Sequence, residues 1–343
     1  MRTSQASMTA ALGWLSALAT PVAAQTYDQQ IAAWPFEHQI AVCSDPTGRI
    51  AASVRIIACT ALLQSGRLNT QTLARGYNNR GVAYAVTDHT RAIVDYNEAI
   101  RLDPQFAEAY SNRGSSFAAL GDRVRAIADH NEAIRLNPQN GDAYYNRGVS
   151  YAAQREHARA IADYSEAIRL NPQYADAYNN RGVSYDAQRD YVRAIADFNE
   201  AIRLDPRNAQ AYYNRGGSYA ALRDHARAIA DYNEAIRLNP QNANAYSGRG
   251  IEYVAQSDDV RAIADFEVAV RLLPGGAGEH LNRGDAYFRV RDYSRAIADY
   301  NEVIRLDPQS SDGYRKRAGA YERVGDTVHA AADRAEAARL SGR

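Results

Sequence analysis

Lysine is nearly missing: all but one of the 40 basic residues are arginine, and Lys316 is the exception. That bias fits a GC-rich coding sequence better than phosphate recognition. A charge excess is missing too, because 40 acidic residues leave the net charge at zero. No global field would draw the chain to nucleic acid or an anionic membrane. Beyond the first residues there is no apolar run long enough to cross a bilayer. Gly-Lys-Ser/Thr, His-Glu-x2-His and Gly-x-Ser-x-Gly are all absent, so no phosphate loop, zincin site or nucleophile elbow is legible. His157 and His225 occupy equivalent places two repeats apart, and at about 10 Å per packed helix row they cannot share a metal. The expectation is a protein that is not an enzyme and needs neither cofactor nor metal.

Cysteine is scarce as well. Cys43 and Cys59 are the only two, which admits one disulfide or two buried thiols. Residues 1–24 favour the disulfide because they read as a secretory signal peptide. Arg2 gives a positive start, Met8 to Ala19 a short apolar stretch, and Val22-Ala23-Ala24 small residues for cleavage before Gln25. The expected mature chain is periplasmic or secreted, in an oxidising compartment, with no membrane insertion after cleavage. The competing reading is an uncleaved amphiphilic tail on a cytosolic protein.

What the chain does contain is a repeat. Pro104, Pro138, Pro172, Pro206, Pro240, Pro274 and Pro308 recur at one constant interval, and self-similarity at such a fixed period marks helical arrays. In residues 141–174, Tyr144, Gly148 and Tyr151 share one face of a first helix. Ile161, Tyr164 and Ile168 share a face of a second, beside Ala160 and Ala167. Asn171-Pro172 ends that helix, because a residue before proline is pushed out of the helical region. Gly148 is expected to let the partner backbones approach, and Tyr164 to project toward the next repeat. No pair has enough apolar surface to fold alone, so stability must come from stacking.

The pattern Tyr-x2-Arg-Gly-x2-Tyr, then Ala-x3-aromatic-x2-Ala and Pro, resembles the tetratricopeptide repeat (TPR). It recurs at Tyr77/Gly81, Tyr110/Gly114, Tyr178/Gly182, Tyr212/Gly216 and Tyr246/Gly250, with His280 for Tyr in the seventh copy and Ala318 for Gly in the eighth. The resemblance implies an all-α, right-handed α-solenoid of about eight helix-turn-helix repeats over residues 74–343. Residues 25–73 are expected to form an N-terminal capping segment, with one helix carrying Ile50, Val54, Ile57 and Ala61. Arg334 and Ala338 replace core residues of the last repeat, as an end cap should. Pro274-Gly275-Gly276-Ala277-Gly278 suggests a flexible or displaced joint between repeats six and seven.

Arg precedes the Gly position in every copy, from Arg80 and Arg113 to Arg317, and every second helix carries Asp, from Asp95 to Asp333. Both are placed where the two helices meet, which predicts one hydrogen-bonded pair per repeat. The family's first helices line a concave groove that receives ligands. By that resemblance Asn79, Asn112, Asn146, Asn180, Asn214 and Asn282 point into it, either as a ladder that pairs with a peptide backbone or as soluble filler. Asn179, Tyr145 and Tyr213 precede ladder positions and would tune selectivity, the tyrosines as flat contact surface. Glu108, Asp142, Asp176 and Asp186 would make the groove acidic, and Arg289, Arg315, Lys316 and Arg323 basic toward the C-terminus. The function expected is binding of an extended protein or peptide partner along the groove. The alternative is a self-associating scaffold of a cell-envelope complex.

Overall fold

The computed structural model describes residues 28–45 and 47–342. The signal peptide expected over residues 1–24, with cleavage before Gln25, lies outside the described residues. Among those residues all regular structure is helical. Helices α1 (Phe36–Cys43) and α2 (Ala52–Gln64) precede eight helix pairs. The first helices of the pairs are α3 (Thr70–Tyr84), α5 (Ala107–Ala119), α7 (Gly141–Ala153), α9 (Ala175–Ala187), α11 (Ala209–Ala221), α13 (Ala243–Ala255), α15 (Ala277–Arg289) and α17 (Ser311–Arg323). The second helices are α4 (His89–Leu102), α6 (Arg123–Leu136), α8 (His157–Leu170), α10 (Tyr191–Leu204), α12 (His225–Leu238), α14 (Asp259–Leu272), α16 (Tyr293–Leu306) and α18 (Thr327–Leu340). This is the α-solenoid architecture expected. Two compact units divide between Arg155 and Glu156, so α7 belongs to the first and α8 to the second.

Local chemistry sets these boundaries. Asp122, Asp190, Asp224, Asp258 and Asp292 cap their second helices by accepting from the backbone N–H three residues on. Asn137, Asn171 and Asn239, each before a proline, leave the helical region at φ near −135°. In the second to eighth repeats the turn between paired helices holds one left-handed residue. Glycine fills it at Gly121 and Gly325, whereas Arg155, Arg189, Arg223, Ser257 and Arg291 adopt φ of 60–66° without glycine's freedom.

Packing follows the small-and-aromatic pattern, with one correction. A Cβ on Gly81, Gly182 or Gly250 would meet not the partner backbone but a ring, Tyr96, Phe198 or Phe266, at 2.6–2.7 Å. The second-helix aromatic therefore lies over its own repeat's glycine. Tyr232 shows that it also reaches the next repeat, since it lies against both Gly216 and Gly248. Ala92, Ala99, Ala194 and Ala201 are fully buried on the same helices as Tyr96 and Phe198, which lets the helices close on one another.

Both ends are closed. Ile31, Val42, Val54 and Ala58 form a small core with Trp34 and Ile50 against it, although residues 25–42 carried no periodic signal. A disulfide joins Cys43 to Cys59 across the α1–α2 pair, with Cα atoms 4.8 Å apart. Leu63 of α2 packs on Gly76 of the first repeat, covering its open face. At the far end Arg334 turns outward and pairs with Glu322, as a terminal repeat's polar face requires. The glycine-rich joint is in register. Helix α15 starts at Ala277, one full repeat after Ala243 opens α13. Its cap Gly276 has no side chain to offer, but the buried His280 ring bridges the Pro274 carbonyl and Asp299.

Candidate functional site

In most repeats the arginine before the glycine position ties three helices together. In repeats one, two and four to eight, its Nε and Nη2 meet both oxygens of the same repeat's Asp at 2.6–2.9 Å. The remaining Nη1 reaches back to the preceding second helix. Arg113 finds Asn97, Arg147 finds Asn131, Arg215 finds Asn199 and Arg317 finds Asn301, at 2.6–2.7 Å. In the first repeat Thr60 of α2 takes that part for Arg80, so the capping helix imitates a preceding repeat. Hydrogen bonding to the carboxylate holds the Arg80, Arg181, Arg215 and Arg249 guanidinium groups still further above their usual range. Pairing with Asp was legible in the sequence. The second-helix Asn was not, although it recurs at the same spacing.

With arginine committed to the interior, the asparagines one residue earlier are what the first helices present. Within each unit neighbouring first helices touch one another directly, so their outer faces form one continuous surface. Asn112 Nδ2 donates to Asn78 Oδ1 at 3.0 Å, Asn214 to Asn179 at 3.1 Å, and Asn282 to Ser247 at 3.2 Å. Asn146 makes a longer contact with Ser115. Each of these amides thus uses one N–H to stitch its helix to the one before, and a side-chain amide still has a second N–H. Asn179 is accordingly buried. It also donates to Asn180. Tyr145 and Tyr213 are half-buried, and burial pushes the Tyr213 phenol up from its ordinary value.

Two cavities open on this surface, and each includes a ladder position. In the first unit a cavity of about 520 Å³ is lined by residues that include Ser44, Arg75, Asn78, Asn79, Phe106 and Glu108. In the second unit a smaller one, about 210 Å³, lies among Val183, Asp186, Phe198, Tyr213, Asn214 and Gly217. The smaller site was only partly legible: Asp186, Tyr213 and Asn214 stood out as groove residues, while Val183, Phe198 and Gly217 looked like ordinary repeat positions.

The charge pattern departs from expectation at the basic end. Arg289 is paired with Asp259 and Lys316 with Asp285, at 2.6 and 2.7 Å, and Arg315 is paired with Asp312. Three of the four cations are neutralised by neighbours that sequence order keeps apart or places one turn away. Asp186 instead accepts from Ser218 Oγ at 2.6 Å and has no cationic partner among the described residues. Among the described residues no His, Cys, Asp or Glu group is arranged to hold a metal, and no helix is long and apolar enough to cross a membrane.

Comparison with known proteins agrees with this construction. Models described as tetratricopeptide repeat match residues 121–175, 145–209, 179–243 and 213–277, and again 277–310. One described as TPR repeat matches 88–121. No curated protein matches the sequence. Among solved structures, pilF of Pseudomonas aeruginosa is 22% identical with a TM-score of 0.54, covering 59% of this chain and 92% of its own. A repeat protein of Parabacteroides merdae is 19% identical at 0.56, covering 72% and 98%. The Cut9–Hcn1 assembly is 16% identical at 0.56, covering 93% and 67%. Such identities establish likeness of fold alone.

Proposed function

Because the chain belongs to the tetratricopeptide-repeat family, a family of protein–protein interaction modules, we propose that it binds an extended polypeptide along the surface of its first helices. The observation that carries this reading is the coincidence of ladder and cavities. Asn79 lies in the larger cavity and Asn214 in the smaller. Amides at regular spacing suit a peptide backbone, whose donors and acceptors repeat regardless of side chain. Cavities between them suit individual side chains.

Residues 1–24 act as an export signal in this reading, and residues 25–73 as the cap of an eight-repeat array over 74–343. The Cys43–Cys59 disulfide supports an oxidising compartment. Cell fractionation with N-terminal sequencing tests it: a soluble envelope or released form beginning at Gln25 is expected, and a cytosolic form retaining Met1 would overturn it.

The function is tested by affinity capture from envelope extract with residues 25–343, beside a variant carrying Ala at Asn112, Asn146, Asn180 and Asn214. Asn112, Asn146 and Asn214 also stitch helices, so circular dichroism must first show that the variant folds. Asn79→Ala provides a second variant, because Asn79 makes no side-chain hydrogen bond among the described residues and its loss breaks no internal hydrogen bond. A partner lost from both variants supports the groove. Identical capture by all three proteins sinks it. Val192, Val260 and Val328 are 72–79% exposed on second helices and favour the scaffold alternative. Concentration-dependent self-association in sedimentation, abolished by Ser at these valines, would select it.

A further inference from the structure

The geometry points to a selective subsite at the joint of repeats four and five that takes a Lys or Arg side chain of the partner polypeptide; the inference rests on the groove reading above. At about 210 Å³ the cavity is smaller than the clefts of about 300 Å³ and upward that hold whole small molecules. It suits one long side chain. Its floor is the ring of Phe198, fully buried, and its walls are Val183 and the Tyr213 ring. An aliphatic stem would lie against these surfaces, and an aromatic wall attracts a cation brought over its face.

The polar end of the cavity selects the head group. Asp186 Oδ1 is held by Ser218 Oγ at 2.6 Å, while Oδ2 has no partner among the described residues. A neutral occupant would shut Oδ2 away from water without a partner, which is unfavourable. An acidic one would be repelled. A guanidinium or ammonium restores a charge-assisted hydrogen bond. Asn214 supplies an amide beside the mouth, already oriented because its oxygen accepts from Gln210 and its nitrogen donates to Asn179.

The joint differs from every other in the array. Asp186 stands where the other repeats carry Ala85, Ala118, Ala152, Ala220, Val254, Phe288 and Glu322. Gly217 stands where the neighbouring repeats carry Val183 and Ile251. Packing does not require this glycine. A Cβ on Gly216 would strike the Tyr232 ring at 3.0 Å, whereas one on Gly217 would meet only the Tyr232 hydroxyl at 3.9 Å. A helix-interior glycine is unfavourable relative to alanine. Here its absent side chain leaves room in the cavity, and the only unpaired acid at that register stands across from it.

The test selects displayed random peptides on residues 25–343 and measures the affinity of an enriched peptide and of its copy with norleucine for the basic residue. Expected are Lys or Arg in the enriched pool and a preference over norleucine of about tenfold. Asp186→Asn should erase that preference, and Gly217→Val, which fills the cavity, should weaken both peptides alike. Circular dichroism verifies that both variants fold. A pool without basic enrichment, or a preference that survives Asp186→Asn, overturns the subsite alone provided binding is still lost from the asparagine variants. An empty pool, or binding indifferent to the asparagine variants, overturns the groove reading and the subsite with it.

Discussion

Arg215 and Asp231 meet through two parallel hydrogen bonds, Nε to Oδ2 at 2.8 Å and Nη2 to Oδ1 at 2.6 Å, with the carboxylate nearly buried. The third arm of the same guanidinium holds Asn199 of the preceding repeat at 2.6 Å. One side chain thus fixes both the angle within its repeat and the spacing to the one before. Its value is geometric as much as energetic, because desolvation offsets much of the attraction between buried charges.

Breaking this pair on one side should be costly. Asp231→Ala leaves a largely buried guanidinium short of its partner and is expected to destabilise by about 3 kcal/mol. Removing both partners, as Arg215→Met with Asp231→Leu, should cost much less than the sum of the single changes. Urea denaturation of the four proteins measures the coupling. Additive losses would show that the pair does not act as a unit.

His130 stands where all the other repeats but the last place Tyr or Phe. It is fully buried, and neither ring nitrogen has a partner among the described residues. Burial, helped by the Arg147 guanidinium, pushes its imidazole from 6.5 down to about 4. The unfolded chain takes up a proton below pH 6.5, while the folded chain resists until about pH 4. The proton-linked cost of this burial is therefore absent above pH 6.5 and grows as pH falls from 6.5 to 4, to about 3 kcal/mol in all. His130→Phe, the residue used at Phe198 and Phe266, should remove that part of the acid sensitivity. Urea midpoints of both proteins at pH 7 and pH 4.5 provide the check; parallel losses would refute it.

Two adjacent kinds of glycine should respond oppositely. Gly250→Ala places a Cβ 2.6 Å from the Phe266 ring and should destabilise by about 1–3 kcal/mol through overpacking. Gly217→Ala has open space and should stabilise by about 0.5–1 kcal/mol, the helix-propensity difference. Thermal unfolding of the two variants against the native chain decides, and shifts of the same sign would contradict the packing described.

Reducing the Cys43–Cys59 bond opens a loop spanning 16 residues and should cost the cap about 3 kcal/mol. Hydrogen exchange in α1 and α2 is expected to accelerate in Cys59→Ser, while α9–α17 stay protected. Uniform acceleration in both units would mean that the cap is not a separate source of stability.

The sequence by itself determined the repeat, its helix pairs, their register and the Arg–Asp pairs. Each depends on interactions within a single repeat length that recur in every copy, so proline spacing and small–aromatic alternation record them directly. It also marked Arg334 and Ala338 as an end, since a missing neighbour shows up as missing apolar residues. Tertiary structure decided what lies between copies. Asn79 and Asn112 look alike in the chain, yet Asn112 is bonded to Asn78 of the previous repeat and Asn79 lines a cavity. Lys316 reads as groove charge until Asp285, in the preceding repeat, is brought to 2.7 Å. The site around Asp186 and Gly217 was only half legible, since Asp186 stood out as groove charge while Gly217 did not, and neither residue makes it alone. It exists only where stacking sets one helix's acid opposite the next helix's missing side chain, a distance that no local pattern encodes.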